Sequence, residues 1–158
     1  MGRKSPELCH ALPWGVALVL WVCFVWGHSL VGGVDSSLES GRFVALLRPA
    51  FESLGVTDVD LMTFVVRKCA HFSEYAVLGV LSRSFWTRAA AVPGMPRHLP
   101  PAGAVATALV PCVDETIQLF VPGRCGSVRD VLIDLAGCAT GVVLCRLFRH
   151  IRDRFVAR

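Results

Sequence analysis

Three groups of ionisable and polar side chains interrupt otherwise apolar stretches of this sequence: Lys68, His71, Glu74 and Tyr75; then Asp114, Glu115 and Gln118; then Asp130 and Asp134. Their spacing is helical. Lys68, His71 and Tyr75 step by three and four, His71 and Glu74 by three, Asp114 and Gln118 by four, and Asp130 and Asp134 by four, so each group presents one polar stripe. An imidazole beside carboxylates can exchange protons, which makes His71, Glu74 and Asp114 the candidate catalytic residues. Lys68 and Arg124 can hold an anionic group, Arg124 through its planar fork. Glu115, Gln118, Asp130, Asp134 and the Tyr75 hydroxyl complete the candidate ligand-binding set. Neighbours on a helix point about 100° apart, so only one of Asp114 and Glu115 need face the others, and Asp114 shares the Gln118 stripe. The structural alternative is a set of interhelical hydrogen bonds that fixes bundle register, at about 0.6 kcal/mol per contact.

The elements that carry these stripes are long apolar runs. Hydrophobic residues make up 54% of the 158 residues and charged residues 18%, with a mean hydropathy of +0.57, a composition that fits lipid better than water as solvent. Runs of about twenty apolar residues suffice to cross a bilayer as helices, and four are present, at about 11–31, 61–85, 102–121 and 128–148. The expected fold is therefore all-α, an integral membrane bundle of about four transmembrane helices. It would be preceded by a short N-terminal segment (1–10) and followed by a basic tail (149–158). In the connection 32–60, Ser37 is expected to cap an interfacial helix running to about Leu54, kinked at Pro49, with Phe43, Val44, Leu47, Phe51 and Leu54 forming its apolar stripe. The first run is too long for a signal-peptide core, and no small-x-small cleavage site follows it.

Charge sets the expected orientation. Arg3 and Lys4, then Arg83, Arg88 and Arg97, then Arg146, Arg149, Arg152, Arg154 and Arg158 all fall on one side if the chain crosses four times, which by the positive-inside rule is the cytoplasm. Both termini are then cytoplasmic, and the acidic connection with Asp35, Glu39, Glu52, Asp58 and Asp60 is outside. With that orientation the three polar groups converge at one depth, in the outer half of the bilayer, where unpaired ionisable groups are costly and default to function. Pro111 is expected to bend the third span just before the acidic pair. Gly137 and Gly141 are spaced for close helix packing. A net charge of +4 without a basic stripe excludes a nucleic-acid binder. Seven scattered cysteines without a CxxC pair indicate neither a disulfide framework nor a zinc site, and Cys69, Cys112 and Cys138 read as buried packing residues.

The same residues resemble the signature of the VanZ-like family. Lys68, His71, Phe72, Glu74 and Tyr75 match K-x-x-H-F-x-E-Y. Asp114, Glu115, Gln118, Phe120 and Arg124 match D-E-x-x-Q-x-F-x-x-x-R. Ser127, Asp130, Asp134 and Gly137 match S-x-x-D-x-x-x-D-x-x-G. The serine-rich stretch 35–41 is a weaker similarity. The resemblance implies a bacterial plasma-membrane protein; the family takes its name from a member linked to low-level resistance to the glycopeptide teicoplanin. It carries no assured activity, so whether the chain is an enzyme stays open. The expected partners are membrane lipids and a lipid-linked cell-wall precursor or glycopeptide at the outer leaflet. Three classes follow: an enzyme on an amphiphilic substrate, a non-catalytic binding or partner protein whose polar residues stabilise the bundle, and a divalent-cation site drawn from His71, Glu74, Asp114, Asp130 and Asp134. No resident cofactor is expected, the cation being the minority reading. Four spans without an internal repeat argue against a transporter.

Overall fold

The computed structural model describes residues 6–96 and 98–156. Arg3, Lys4, Arg97 and Arg158, used above for orientation, lie outside the described residues. Five helices follow one another: α1 (Pro6–Ser29), α2 (Gly33–Ser53), α3 (Val59–Ala89), α4 (Leu99–Gln118) and α5 (Val128–Val156). The described residues contain no strand. The fold is all-α, as the apolar runs require.

Helix ends follow local chemistry. Asp58 caps α3, its side chain accepting from the backbone N–H of Asp60 (2.9 Å) and Leu61 (3.3 Å), which satisfies two of the orphan donors of a first turn. Helix α5 opens after Ser127, whose Oγ accepts from Arg129 N at 3.2 Å. It runs on to Val156, so most of the basic segment expected as a separate tail continues the helix. Pro111 lies inside α4 and Pro49 inside α2.

Helix α2 departs from expectation in its start and its inward face. It begins at Gly33, with Gly32 as cap, and Ser37 sits within it, bonding back to Gly33 O at 2.7 Å. The buried positions are Gly33, Ser36, Ser40 and Val44, whereas Phe43, Leu47 and Leu54 are exposed. Close approach of backbone explains the choice of face. Gly33 N donates to Pro122 O at 3.1 Å, and a β-carbon at Gly33 would collide with the Gly123 carbonyl, so only a stripe of small residues can sit here.

Helix α3 is the axis of the bundle, packed by α1, α2, α4 and α5. Its tightest partner is α5. A β-carbon at Gly79 would strike the Cys138 carbonyl, and β-carbons at Gly137 and Gly141 would strike the carbonyls of Phe72 and Ala76. The small residues expected to permit close packing therefore do so, through backbone-to-backbone contact. On the other flank, Trp21 Nε1 donates to Glu74 O (2.9 Å) and Trp26 Nε1 to Val110 O (3.3 Å), pinning α1 to α3 and α4.

The apolar core is small: Val25, Tyr75, Leu78, Val110 and Cys138, with Leu18, Trp21, Val22 and Trp26 against it. Large apolar side chains instead cover the outside, among them Leu20, Phe64, Val105, Leu132 and Phe148. Water-soluble monomers rarely expose contiguous apolar patches above a few hundred Å²; here the apolar exterior extends along every helix. Two helices, Glu7–Ser29 and Val128–Val156, are long and apolar enough to cross a membrane. Cys69 and Cys112 belong to the exposed exterior, and only Cys138 of the three is buried, because the sequence positions of the first two fall on outward helix faces.

Candidate functional site

One end of the bundle collects the C-terminal end of α1, the start of α2, the first half of α3, the end of α4 and the start of α5. Polar groups crowd there. Asp114 and Asp134 are each 0% exposed, and one ligand atom from each of these and from His71 lies within 4.8 Å of the others. The three come from α4, α5 and α3. Gln118 holds Asp114 from below, Nε2 donating at 3.3 Å to Asp114 Oδ2 and at 3.2 Å to Ser29 Oγ. The other oxygen, Asp114 Oδ1, has no hydrogen-bond partner among the described residues. The same holds for both oxygens of Asp134, for His71 Nδ1 and for the Tyr75 hydroxyl. The His71 Nδ1 to Asp134 Oδ1 separation, 3.9 Å, exceeds hydrogen-bond range. Buried polar atoms of His71, Asp114 and Asp134 thus lie together without well-formed hydrogen bonds to one another, although such groups are paired in the great majority of folded proteins.

The remaining expected site residues are occupied elsewhere in the same layer. Lys68 Nζ pairs with Asp130 Oδ1 at 2.5 Å, with both side chains part-exposed. Glu74 lies 3.5 Å from His28 Nδ1, and His28 Nε2 in turn meets Glu39 at 3.2 Å, linking α3 to α1 and α2. Glu115 is buried, and its Oε2 accepts from the backbone N–H of Ser127 at 2.7 Å. It therefore tethers the entry to α5, where a negative charge also complements the helix dipole. Arg124 is buried in the turn before α5, donating from Nε to Val31 O (3.0 Å) and from Nη2 to His28 O (3.2 Å). It thereby caps the carbonyl end of α1, the favoured place for a cation. Burial lowers its proton affinity from the ordinary arginine value, which is high enough that the guanidinium stays charged.

Sequence reasoning placed His71, Asp114, Gln118 and Asp134 together, and the structure groups them. It missed His28 and Ser29, which bring α1 into the layer. Their signal was present as a polar pair closing the first apolar run, but with no helical repeat to mark it.

Two cavities lie further along the bundle, and neither is lined by His71, Asp114 or Asp134. An apolar groove of about 290 Å³ lies between α1, α3 and α4, bounded by Leu18, Val22, Trp26, Leu78, Trp86 and Val110. A larger cavity of about 620 Å³ between α3, α4 and α5 includes Arg83, Cys138 and Arg146. Val110 and Cys138 lie one helical turn from Asp114 and Asp134, so each space begins about a turn from the polar layer.

A family model described as VanZ/LLP1 matches residues 14–149, which include all five helices in whole or large part and every residue of the polar layer. No curated protein and no solved structure matches the chain.

Proposed function

The chain belongs to the VanZ/LLP1 family, and from that premise we propose that it is a multi-pass protein of the bacterial plasma membrane that takes an amphiphilic, envelope-associated ligand at its polar layer. In this reading α1, α3, α4 and α5 all cross the bilayer, both termini are cytoplasmic, α2 lies at the outer interface, and the layer sits in the outer leaflet. Individual hydropathy singles out only α1 and α5 because α3 and α4 carry the interior charges; their exposed apolar faces, with Phe64 and Val105, match those of their neighbours.

The observation that carries the reading is the set of unpartnered atoms on His71, Asp114 and Asp134. A bundle stabilised by polar contacts alone would pair them, as it pairs Lys68 with Asp130. The apolar groove lined by Leu18, Val22, Leu78 and Val110 is compatible with an acyl chain. A lipid-linked cell-wall precursor has that chemistry, and its exposure in the outer leaflet is where a glycopeptide would act. His71 with Asp114 supplies an acid–base pair if the ligand is turned over. The second reading, a non-catalytic partner protein whose polar residues only hold the bundle, is favoured by Arg124, Glu115 and the Lys68–Asp130 pair, each already engaged within the chain.

Mass spectrometry of lipids retained by the detergent-purified protein separates the two. Retention of a defined phosphorylated or lipid-linked species by wild type, lost in His71→Gln and Asp114→Asn while helicity is unchanged, supports the ligand site. Identical lipid profiles in all three proteins would refute it. Teicoplanin susceptibility of bacteria expressing each variant gives the cellular counterpart.

A further inference from the structure

We propose that His71, Asp114 and Asp134 bind one divalent transition-metal ion, of which Zn²⁺ is the best match, between α3, α4 and α5. The inference rests on the cluster's geometry and not on the identity of any organic ligand. Each residue offers one donor atom, and the three lie within 4.8 Å of one another. Each residue has an atom without a hydrogen-bond partner among the described residues, His71 Nδ1, Asp114 Oδ1 and both oxygens of Asp134, and both carboxylates are fully buried. The nearby cations are engaged: Lys68 with Asp130, Arg124 with the carbonyls of Val31 and His28. Two carboxylates this close and this buried are costly to ionise together, and a single divalent ion would offset both charges while filling the unmet valences.

Geometry agrees with the charge. Ligand atoms about 2.1 Å from a tetrahedral zinc sit roughly 3.4 Å apart. The His71 Nδ1 to Asp134 Oδ1 distance of 3.9 Å needs only a small side-chain contraction to reach that value. Gln118 fixes Asp114 through Oδ2 and leaves Oδ1 without a partner, the arrangement by which a neighbouring donor orients a metal-bound carboxylate. One imidazole and two carboxylates suit Zn²⁺ or Mn²⁺; Ca²⁺ demands six to eight oxygens, and no thiolate is present for Cu(I). Three protein ligands leave a position open, the pattern of a site that also takes water or substrate. His71 is the part-exposed member of the three. The broader cation set expected from sequence contracts to three residues, because Glu74 turns to His28 and Asp130 to Lys68.

The test uses the full chain in detergent, purified without chelator, then stripped and titrated with Zn²⁺ by calorimetry, with Co²⁺ absorption as a variant-free readout. One ion per wild-type chain is expected, with a tetrahedral Co²⁺ spectrum. Asp134→Asn and His71→Gln should bind about tenfold or more weakly, with unchanged helical circular dichroism, while Glu74→Gln and Asp130→Asn bind as wild type. Substoichiometric uptake by wild type, a Co²⁺ spectrum without tetrahedral character, or equal affinity in Asp134→Asn and His71→Gln overturns the proposal. Lipid retention is measured separately, so an ion-free protein that keeps its lipid, or a metalloprotein without one, tells which of the two readings has failed.

Discussion

Replacing Arg124 by lysine separates a structural arginine from one that greets a ligand. Arg124 donates through two different nitrogens, at 3.0 Å to Val31 O and 3.2 Å to His28 O. His28 O, in the last turn of α1, also accepts from Val31 N at 3.1 Å, whereas Val31 lies two residues beyond the helix and its carbonyl depends on the arginine. A lysine keeps the charge but places one ammonium where the guanidinium placed a fork, so one carbonyl loses its donor. A hydrogen bond from a charged group is worth about 1.5–3 kcal/mol. Arg124→Lys should therefore destabilise by about 2 kcal/mol, roughly a thirtyfold shift in the folding equilibrium at 1.4 kcal/mol per decade. Arg124→Gln, which loses the charge as well, should lose more. The assay is reversible unfolding in mixed detergent and SDS micelles, followed by tryptophan fluorescence, since Trp14, Trp21 and Trp26 all lie on α1. Unchanged stability in Arg124→Lys, combined with loss of ligand, would refute the capping role and return Arg124 to the mouth of the site.

Other outcomes follow from the same contacts. Gly141→Ala places a methyl on the Ala76 carbonyl and should cost about 1–3 kcal/mol by overpacking; Gly27→Ala, where nothing lies within 4 Å, should be neutral or stabilise by up to about 1 kcal/mol, and equal effects in the same unfolding assay would contradict the α3–α5 packing. Asp58→Ala removes the α3 cap and should cost about 0.5–2 kcal/mol, read as faster amide exchange over the first turn of α3; unaltered exchange would show the cap to be idle. Reporter fusions should be cytoplasmic at Arg158 and external at Gly41; an external carboxyl terminus would move the polar layer to the inner leaflet and end the outer-leaflet reading.

Much of this protein was legible in one dimension because the helical period is local. The apolar runs require helices in any solvent that cannot bond the backbone. The spacing of His71, Asp114, Gln118 and Asp134 puts each on a definite face of its own helix, and the three-residue gap between Gly137 and Gly141 announces a close neighbour. Partner choice is not local. Whether Lys68 meets Asp130 or a ligand, whether Glu74 joins His71 or turns to His28, and whether Arg124 faces solvent or the carbonyls of α1 depend on how far each helix is rotated and how near it comes. Those quantities are set by contacts between residues far apart in the chain, such as Gly79 against Cys138 and Gly33 against Gly123. The inward face of α2 belongs to the same class: its bulky apolar stripe is the stronger signal in sequence, yet small residues face the bundle because backbone there approaches backbone. Composition and period could place the polar residues at one depth; only tertiary packing decided which of them pair and which, His71, Asp114 and Asp134 among them, are left with open valences, because that depends on distances of a few ångströms between helices that the chain itself does not encode locally.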